Sequence, residues 1–171
     1  DLTRVGELAH DAGALLVAVC TEPLAMAIAR PPGDAGADIA VGEGIGLAGP
    51  PNLGGPGLGL FAARGKKAVR SMPGRIVGQT VDQDGRPGYV LTLSTREQHI
   101  RREKATSNIC TNHGLMALRF TIHLALLGKV GLTELARLCL GKAAFARDRI
   151  LELDGYELRF DGPHFNEIAV R

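Results

Sequence analysis

The feature that most restricts the fold is a continuous apolar run, ALLVAV, at residues 14–19. A strand with water on one face alternates apolar and polar residues, whereas this run has no polar position on either face. It therefore predicts a parallel strand that is covered on both sides. A second short run follows at residues 38–41, and a helical stretch at residues 23–29 lies between the two. Together they predict a β-α-β unit.

The rest of the chain divides into a strand-rich middle and a helical end. The Asp-Gly step at residues 84 and 85 separates two short apolar stretches and predicts a β-hairpin. After residue 110, apolar residues recur at helical spacing. They lie on nearly all sides of the helix that ends before Gly128 and on one face of the helix that follows it. In chain order the predicted elements are a helix at 3–12, strands at 57–63, 76–81 and 89–93, helices at 111–127 and 132–150, and strands at 157–160 and 167–170.

Charge is distributed unevenly along the chain. The formal net charge is only +2, yet residues 64–104 carry ten basic and four acidic side chains. A basic block can bind nucleic acid, but this block contains a single aromatic residue, Tyr89, and so has no stacking platform for bases. The pattern favours a solvated face or an anion site, and we expect no nucleic acid partner.

The start of the chain and its apolar runs bear on membrane and export signals. No uninterrupted apolar run reaches the roughly 20 residues that a membrane helix needs. No basic head precedes an apolar stretch near residue 1, so we expect neither a membrane segment nor a secretory signal. The first residue is Asp rather than Met, which suggests a piece of a longer protein.

Cysteine and histidine spacing gives no sign of a metal site. Cys20, Cys110 and Cys139 form no close pair, which argues against zinc ligands and against a disulfide framework. Three isolated thiols fit a reducing compartment. The five histidines show no paired spacing either, and we interpret His123, in the most apolar predicted helix, as a hydrogen-bonded core residue.

Residues 44–49 read GIGLAG and match the glycine pattern of dinucleotide-binding turns. In that motif the turn opens a helix whose amides hold a pyrophosphate, but prolines follow here at positions 50, 51 and 56. Position 69, where an acidic residue would bind the ribose, is valine. The context therefore favours a tight irregular loop, with a dinucleotide-binding domain as the alternative.

A polar segment precedes the apolar helix predicted at 111–127. Three cations, Arg101, Arg102 and Lys104, are followed by the capping residues Thr106, Ser107 and Asn108. Cations beside a helix N-terminus form a natural cradle for a phosphate or carboxylate. A capped helix preceded by solvent-exposed basic residues explains the same residues equally well, so both interpretations stay open. A further alternative for the chain is a non-catalytic anion-binding module.

Five stretches carry a family resemblance. They read GADIAVGEG at residues 36–44, GGPGLG at 54–59, MPGRIVG at 72–78, REQHIRREKATSNICT at 96–111 and GPHFNE at 162–167. In this order, and over nearly the whole chain, they resemble the glycine cleavage system P-protein, the glycine dehydrogenase (decarboxylating). His113 departs from the pattern, in which glutamine is expected.

The resemblance implies an α/β fold, namely part of the type I fold of pyridoxal-phosphate-dependent, aminotransferase-like enzymes. That fold has a large domain with a mostly parallel sheet and one antiparallel strand, followed by a small C-terminal domain. Residues 1–150 would form the second half of the large domain, and residues 151–171 the first strands of the small one. Residues 57–63 would supply the antiparallel strand.

The resemblance also implies where the cofactor would be held. The family has two related halves, and only one bears the lysine that holds pyridoxal phosphate, nine residues before the GGPGLG turn. Here that position is Ile45, and no lysine occurs among residues 1–65. The acidic residue expected beside the pyridine nitrogen would lie at the end of the first strand, where the sequence reads Cys20-Thr21. The acidic residue nearest to this position is Glu22. The chain thus resembles the first, cofactor-free subunit or the amino-terminal half, with no catalytic residue of its own.

The activity implied is that of the complete enzyme, which decarboxylates glycine and passes the aminomethyl group to the lipoyl arm of the H-protein. The partners implied are a second, pyridoxal-phosphate-bearing subunit or half, the lipoylated H-protein and glycine. Arg101, Arg102, Lys104 and Thr106–Asn108 would contribute to the partner's site. We expect a cytoplasmic location, or the mitochondrial matrix in a eukaryote, and no activity from the isolated piece.

Overall fold

The structure is a computed structural model, and it describes residues 1–49, 55–72, 74, 76–92, 97–105 and 113–171. The chain forms two compact units. The major unit consists of Asp1–Phe61 and His113–Arg171, and the minor unit is Ala62–Asn112. The division into a large and a small domain at residue 150 concerns the complete fold and stays a prediction.

The main sheet contains three strands in the order β1-β2-β3. They are β1 (Val17–Cys20), β2 (Ile39–Glu43) and β3 (Gly59–Ala63). β1 and β2 are parallel, with Val17 opposite Ile39 and Cys20 opposite Gly42. A short 3-10 helix, Pro23–Ala27, lies between them in the chain. The predicted parallel pair with a helical connection is therefore confirmed, although the connection is a 3-10 helix. The predicted antiparallel direction of β3 stays a prediction.

The prediction that β1 is covered on both faces is met on one face only. Leu16 and Ala18 are buried in a small core with Ala37, and Leu2 of helix α1 (Leu2–Asp11) packs against it. Leu15, Val17 and Val19 alternate with these residues and are 67%, 48% and 69% exposed. No side chain of the described residues covers this second apolar face of β1.

Asp38 fastens α1 and β1 to the start of β2. Its Oδ2 accepts the N–H of Leu16 at 2.9 Å and lies 2.9 Å from Nε2 of His10, near the end of α1. The backbone N–H of Asp38 also donates to the carbonyl of Leu16 at 2.9 Å. One carboxylate thus fixes the register of the parallel pair and the position of the helix beside it.

A long helical segment, α5 (Gly114–Leu151), follows the minor unit. Its backbone departs from helical geometry at Gly128, where φ is 59° and ψ is −175°. The two predicted helices with a break at Gly128 are therefore confirmed, although residues 111 and 112 lie outside the described part. Ala136, fully buried, packs with Leu24 and Leu47, and this contact holds α5 against the 3-10 helix and against α2 (Ile45–Ala48).

By length and apolar composition alone, α5 would be able to cross a membrane. The break at Gly128 divides it, and the part after the break carries several charged side chains, among them Lys129, Arg137 and Lys142. Neither part is thus a straight, uncharged span of about 20 residues. The absence of a membrane partner stays a prediction.

The minor unit contains the predicted hairpin. β4 (Ile76–Val81) and β5 (Pro87–Thr92) pair antiparallel. At the turn, Oδ1 of Asp82 accepts the N–H groups of Asp84 and Arg86 at 2.9 Å each, and Gly85 takes a φ of +78° that favours glycine. The same unit holds two short helices that the sequence did not predict, α3 (Gly65–Ser71) and α4 (Gln98–Arg101).

The prediction of two strands at 157–160 and 167–170 is met only in part, because the two stretches pair but form no extended strands. Among the described residues, this end of the chain has one isolated antiparallel bridge, between Leu158 and Val170. Glu157 and Arg171 exchange two backbone hydrogen bonds of 2.9 Å, and Arg159 adds a third to Ala169. Among the described residues the pairing does not extend beyond this bridge and its three backbone hydrogen bonds.

We expect Asp38→Ala, which removes the acceptor oxygen, to loosen the junction of α1, β1 and β2 in the complete subunit. A hydrogen bond to a charged group stabilises by about 1.5–3 kcal/mol, so amide exchange at Leu16 should accelerate by about tenfold or more. Hydrogen exchange read by mass spectrometry checks this. Asp34→Ala, at an exposed position four residues earlier, is the control. Equal exchange in the two variants would contradict the proposed role of Asp38.

Candidate functional site

The position at which the resemblance places a cofactor lysine lies at the start of α2. Ile45 is the first residue of this four-residue helix, and Gly44 caps it. Oε1 of Glu43 accepts the N–H of Ile45 at 2.8 Å and the N–H of Leu58 at 2.7 Å. The N–H of Gly44 donates in turn to the carbonyl of Leu58 at 2.7 Å. Position 45 is thus held rigidly between the end of β2 and the residues before β3.

The side chain at position 45 belongs to the apolar core. Ile45 packs against a cluster of three buried residues, Ala48, Leu58 and Met116. An isoleucine has no nucleophilic atom, and here its half-buried side chain packs only against apolar neighbours of this cluster. The arrangement gives this position a structural role.

Glu22, the nearest acid to the end of β1, is engaged by its surroundings. One carboxylate oxygen accepts the N–H of Leu24 at 3.0 Å and so caps the 3-10 helix. The other accepts from Nδ2 of Asn166 at 3.3 Å. Both oxygens are thus used to join two parts of the major unit, which is the chemistry of a capping residue.

His123 is a hydrogen-bonded residue of the core, as the sequence predicts. Its Nδ1 lies 2.7 Å from the carbonyl oxygen of Leu47, and because a carbonyl only accepts, this nitrogen carries the proton. The contact ties the last turn of α2 to α5. It also lies beside an open cavity of about 340 Å³ lined by Ala48, Gly49, Arg119, Ile122, His123 and Leu126.

The dinucleotide interpretation of GIGLAG is wrong. The turn opens a helix of only four residues, which ends at Gly49 with a φ of +150°. The guanidinium of Arg119 lies beside this glycine, and a side chain at position 49 would displace the end of that arginine. So short a helix lacks the row of aligned amides that holds a pyrophosphate.

The cationic segment is a tight succession of short helices in the minor unit. Arg101 ends α4, and Arg102 and Lys104 lie in a 3-10 helix, Arg102–Lys104. All three side chains are exposed. Arg102 has a φ of 52° and a ψ of −121°, a strained conformation for a residue other than glycine. Thr106, Ser107 and Asn108, like Cys110, lie outside the described residues.

The structure therefore brings the three cations together but places them in a different compact unit from position 45. The sequence analysis did not single out two residues near position 45, namely Glu43 at the end of β2 and Arg119 in α5. A signal for Glu43 was present, since a carboxylate two residues before a helix start commonly binds the first free N–H. Arg119 had no such signal, because its partner at Gly49 is distant in the chain. Among the described residues there is no group of three or more potential metal ligands.

Comparison with known proteins identifies the family. The family model of the glycine cleavage system P-protein matches residues 1–171, and the chain belongs to this family. A probable glycine dehydrogenase (decarboxylating) subunit 1 from Xanthobacter autotrophicus is 58% identical over 171 residues, and its counterpart from Azorhizobium caulinodans is 56% identical. Each comparison covers all of this chain and 38% of the relative's length.

A solved structure has the same fold. The crystal structure of glycine decarboxylase (P-protein) of the glycine cleavage system, in inhibitor-bound form, superposes with a TM-score of 0.92 at 48% identity. The match covers 99% of this chain and 38% of that one. The chain therefore spans about two fifths of the proteins that it resembles.

We expect Glu43→Ala in the complete subunit to release the loop around position 45. Two backbone N–H groups lose their acceptor, so hydrogen exchange at Ile45 and Leu58 should accelerate by about tenfold or more. Glu43→Gln keeps an oxygen acceptor of the same reach and should preserve most of the protection. If the alanine and glutamine variants exchange alike, the carboxylate oxygen does not hold the loop.

Proposed function

We propose that this chain is part of the subunit of glycine decarboxylase that does not hold pyridoxal phosphate. In this proposal the complete enzyme decarboxylates glycine and transfers the aminomethyl group to the lipoyl group of the H-protein. The observation that carries the proposal is Ile45, which occupies the expected lysine position and packs in an apolar cluster. The relatives named as subunit 1 support it, because the name implies a second subunit.

The residues present do not fit covalent attachment of the cofactor. Pyridoxal phosphate requires a lysine amine, and residues 1–65 contain none. Glu22, whose carboxylate would be needed beside the pyridine nitrogen, uses its two oxygens on Leu24 and Asn166. In the proposal the cofactor and its chemistry therefore belong to the second subunit, and this chain supplies scaffold and interface.

The proposal extends to the fold and to the location. The parallel pairing of β1 and β2 is consistent with the large domain of a type I enzyme, and β3 would be its antiparallel strand. We place the protein in the cytoplasm, or in the mitochondrial matrix of a eukaryote. The unpaired thiols of Cys20 and Cys139 fit such a reducing compartment.

The cationic segment is proposed to face the partner's active site. Arg101, Arg102 and Lys104 are exposed and lie within four consecutive residues, so they can offset the charge of a phosphate and of the glycine carboxylate. Thr106, Ser107 and Asn108 would add neutral donors. The strained backbone at Arg102 supports this assignment, because such strain persists where a side chain must be held in a particular place.

We expect the chain to form no specific covalent adduct with pyridoxal phosphate. After incubation with the cofactor and reduction by borohydride, peptide mapping should show at most weak label spread over the surface lysines. Each of these lysines is exposed and follows residue 65. Stoichiometric label on one defined lysine would contradict the proposal. The lysine-bearing subunit, treated in the same way, is the positive control.

We expect Arg102→Gly to lower glycine decarboxylation by the assembled enzyme without lowering its Tm. Glycine accepts the φ of 52° without strain, so the fold is not penalised, whereas the lost cation should cost about tenfold or more in kcat/KM. Arg102→Lys keeps the charge and should retain more activity. Full activity in the glycine variant would leave this residue with a structural role only.

A further inference from the structure

The stretch GPHFNE at residues 162–167 carries part of the family resemblance, and the proposed function gives it no role. It lies in the middle of a loop, residues 157–171, whose two ends are joined. There Glu157 and Arg171 exchange two backbone hydrogen bonds of 2.9 Å, and Nε of Arg171 lies 2.6 Å from Oε1 of Glu157. The paired ends close the loop at its base, and residues 162–167 form its tip.

Two adjacent residues of the tip contact the segment that follows β1. Phe165 is half-buried and packs against the core cluster that contains Leu24 and Leu47. Nδ2 of Asn166 donates to Oε2 of Glu22 at 3.3 Å. Both contacts reach the same short element, because Glu22 caps the 3-10 helix and Leu24 is the second residue of that helix. The tip thus joins the C-terminal loop to the end of β1.

We propose that residues 162–167 form a clasp, in which Asn166 is a positioning residue for Glu22 and Phe165 supplies an apolar anchor. Glu22 uses one carboxylate oxygen for the N–H of Leu24 and the other for Asn166. The amide of Asn166 therefore orients the carboxylate that caps the 3-10 helix. The inference is independent of the proposed function, since every contact of the clasp lies within the major unit of this chain.

The chemistry of the pair explains why an amide suits position 166. An ionised carboxylate only accepts hydrogen bonds, so the partner of Glu22 must be a donor, and an amide NH2 group donates without adding a charge. A hydrogen bond to a charged group is also stronger than one between neutral groups. An aspartate at 166 would instead face Glu22 with a second negative charge, and the two carboxylates would repel each other.

The clasp also supports α2, which begins at position 45. Leu47 of α2 belongs to the same core cluster as Leu24, and Phe165 packs against this cluster from the C-terminal loop. At the start of α2, Glu43 binds the N–H of Ile45, and at its end His123 of α5 binds the carbonyl of Leu47. The clasp is therefore a third support of α2, and it acts through the 3-10 helix.

The test exchanges donor and acceptor in full-length subunit 1 with this sequence. Asn166→Asp puts a second carboxylate against Glu22, so amide hydrogen exchange at Leu24 should accelerate by about tenfold or more, as read by mass spectrometry. The double variant Glu22→Gln/Asn166→Asp places the donor at 22 and the acceptor at 166. It should return exchange at Leu24 to within about threefold of the wild type, because the pair is restored with its polarity reversed.

Two further variants and one reference amide separate local from general effects. Gln83→Glu makes the same change from amide to carboxylate at an exposed position of the minor unit and should leave exchange at Leu24 unchanged. Phe165→Ala removes the anchor without altering the polar pair and should accelerate exchange at Leu24 by about threefold or more. The N–H of Leu16, which Asp38 holds, is the reference and should exchange alike in all variants.

The clasp is overturned by any of three results. The first is unchanged exchange at Leu24 in Asn166→Asp. The second is an acceleration that the double variant does not reverse, because the two side chains then do not act as a pair. The third is an equal acceleration at Leu16, which would mean that the substitution destabilises the whole unit. None of these results depends on glycine decarboxylation, so the clasp and the proposed function stand or fall separately.

Discussion

The major unit depends on a carboxylate at each end of strand β2. Asp38, just before the strand, binds the backbone of Leu16 and the ring of His10. Glu43, its last residue, binds the backbone of Ile45 and of Leu58. The first contact fixes α1 and β1, and the second fixes α2 and the approach to β3. Because each carboxylate serves two segments, removal of either would free more backbone than a single hydrogen bond suggests.

The sequence predicted those elements whose signals are local. The run at 14–19, the Asp-Gly turn and the break at Gly128 each follow from a few neighbouring residues, and the structure has β1, the hairpin and the interrupted α5 at these places. Two kinds of feature escaped prediction. The short helices α3 and α4 have too few turns for a periodic pattern. The stretches at 157–160 and 167–170 pair at one bridge, and the local sequence does not distinguish a bridge from a full strand.

The residues of the candidate site also divide into those that a local sequence signal predicts and those that it does not. The absence of a lysine at position 45 could be seen from the resemblance, and the role of His123 from the apolar helix around it. The packing of Gly49 against Arg119 joins residues seventy positions apart, which no local pattern encodes. β1 and α5 also have apolar faces that are exposed, as Val19 is at 69% and Leu126 at 81%. A chain that spans 38% of its relatives' length carries apolar surfaces that the remaining length can cover.

Gly57 illustrates a constraint that its own backbone conformation does not reveal. A Cβ atom at this position would lie 2.8 Å from Oε2 of Glu43, the side chain that holds the N–H groups of Ile45 and Leu58. A larger residue at 57 would require a shift of this carboxylate, whose other oxygen binds both amides. In evolutionary terms, positions 43 and 57 should change together among homologues: glycine should persist wherever a long acidic side chain is kept at 43, and should be free to vary where that side chain becomes shorter.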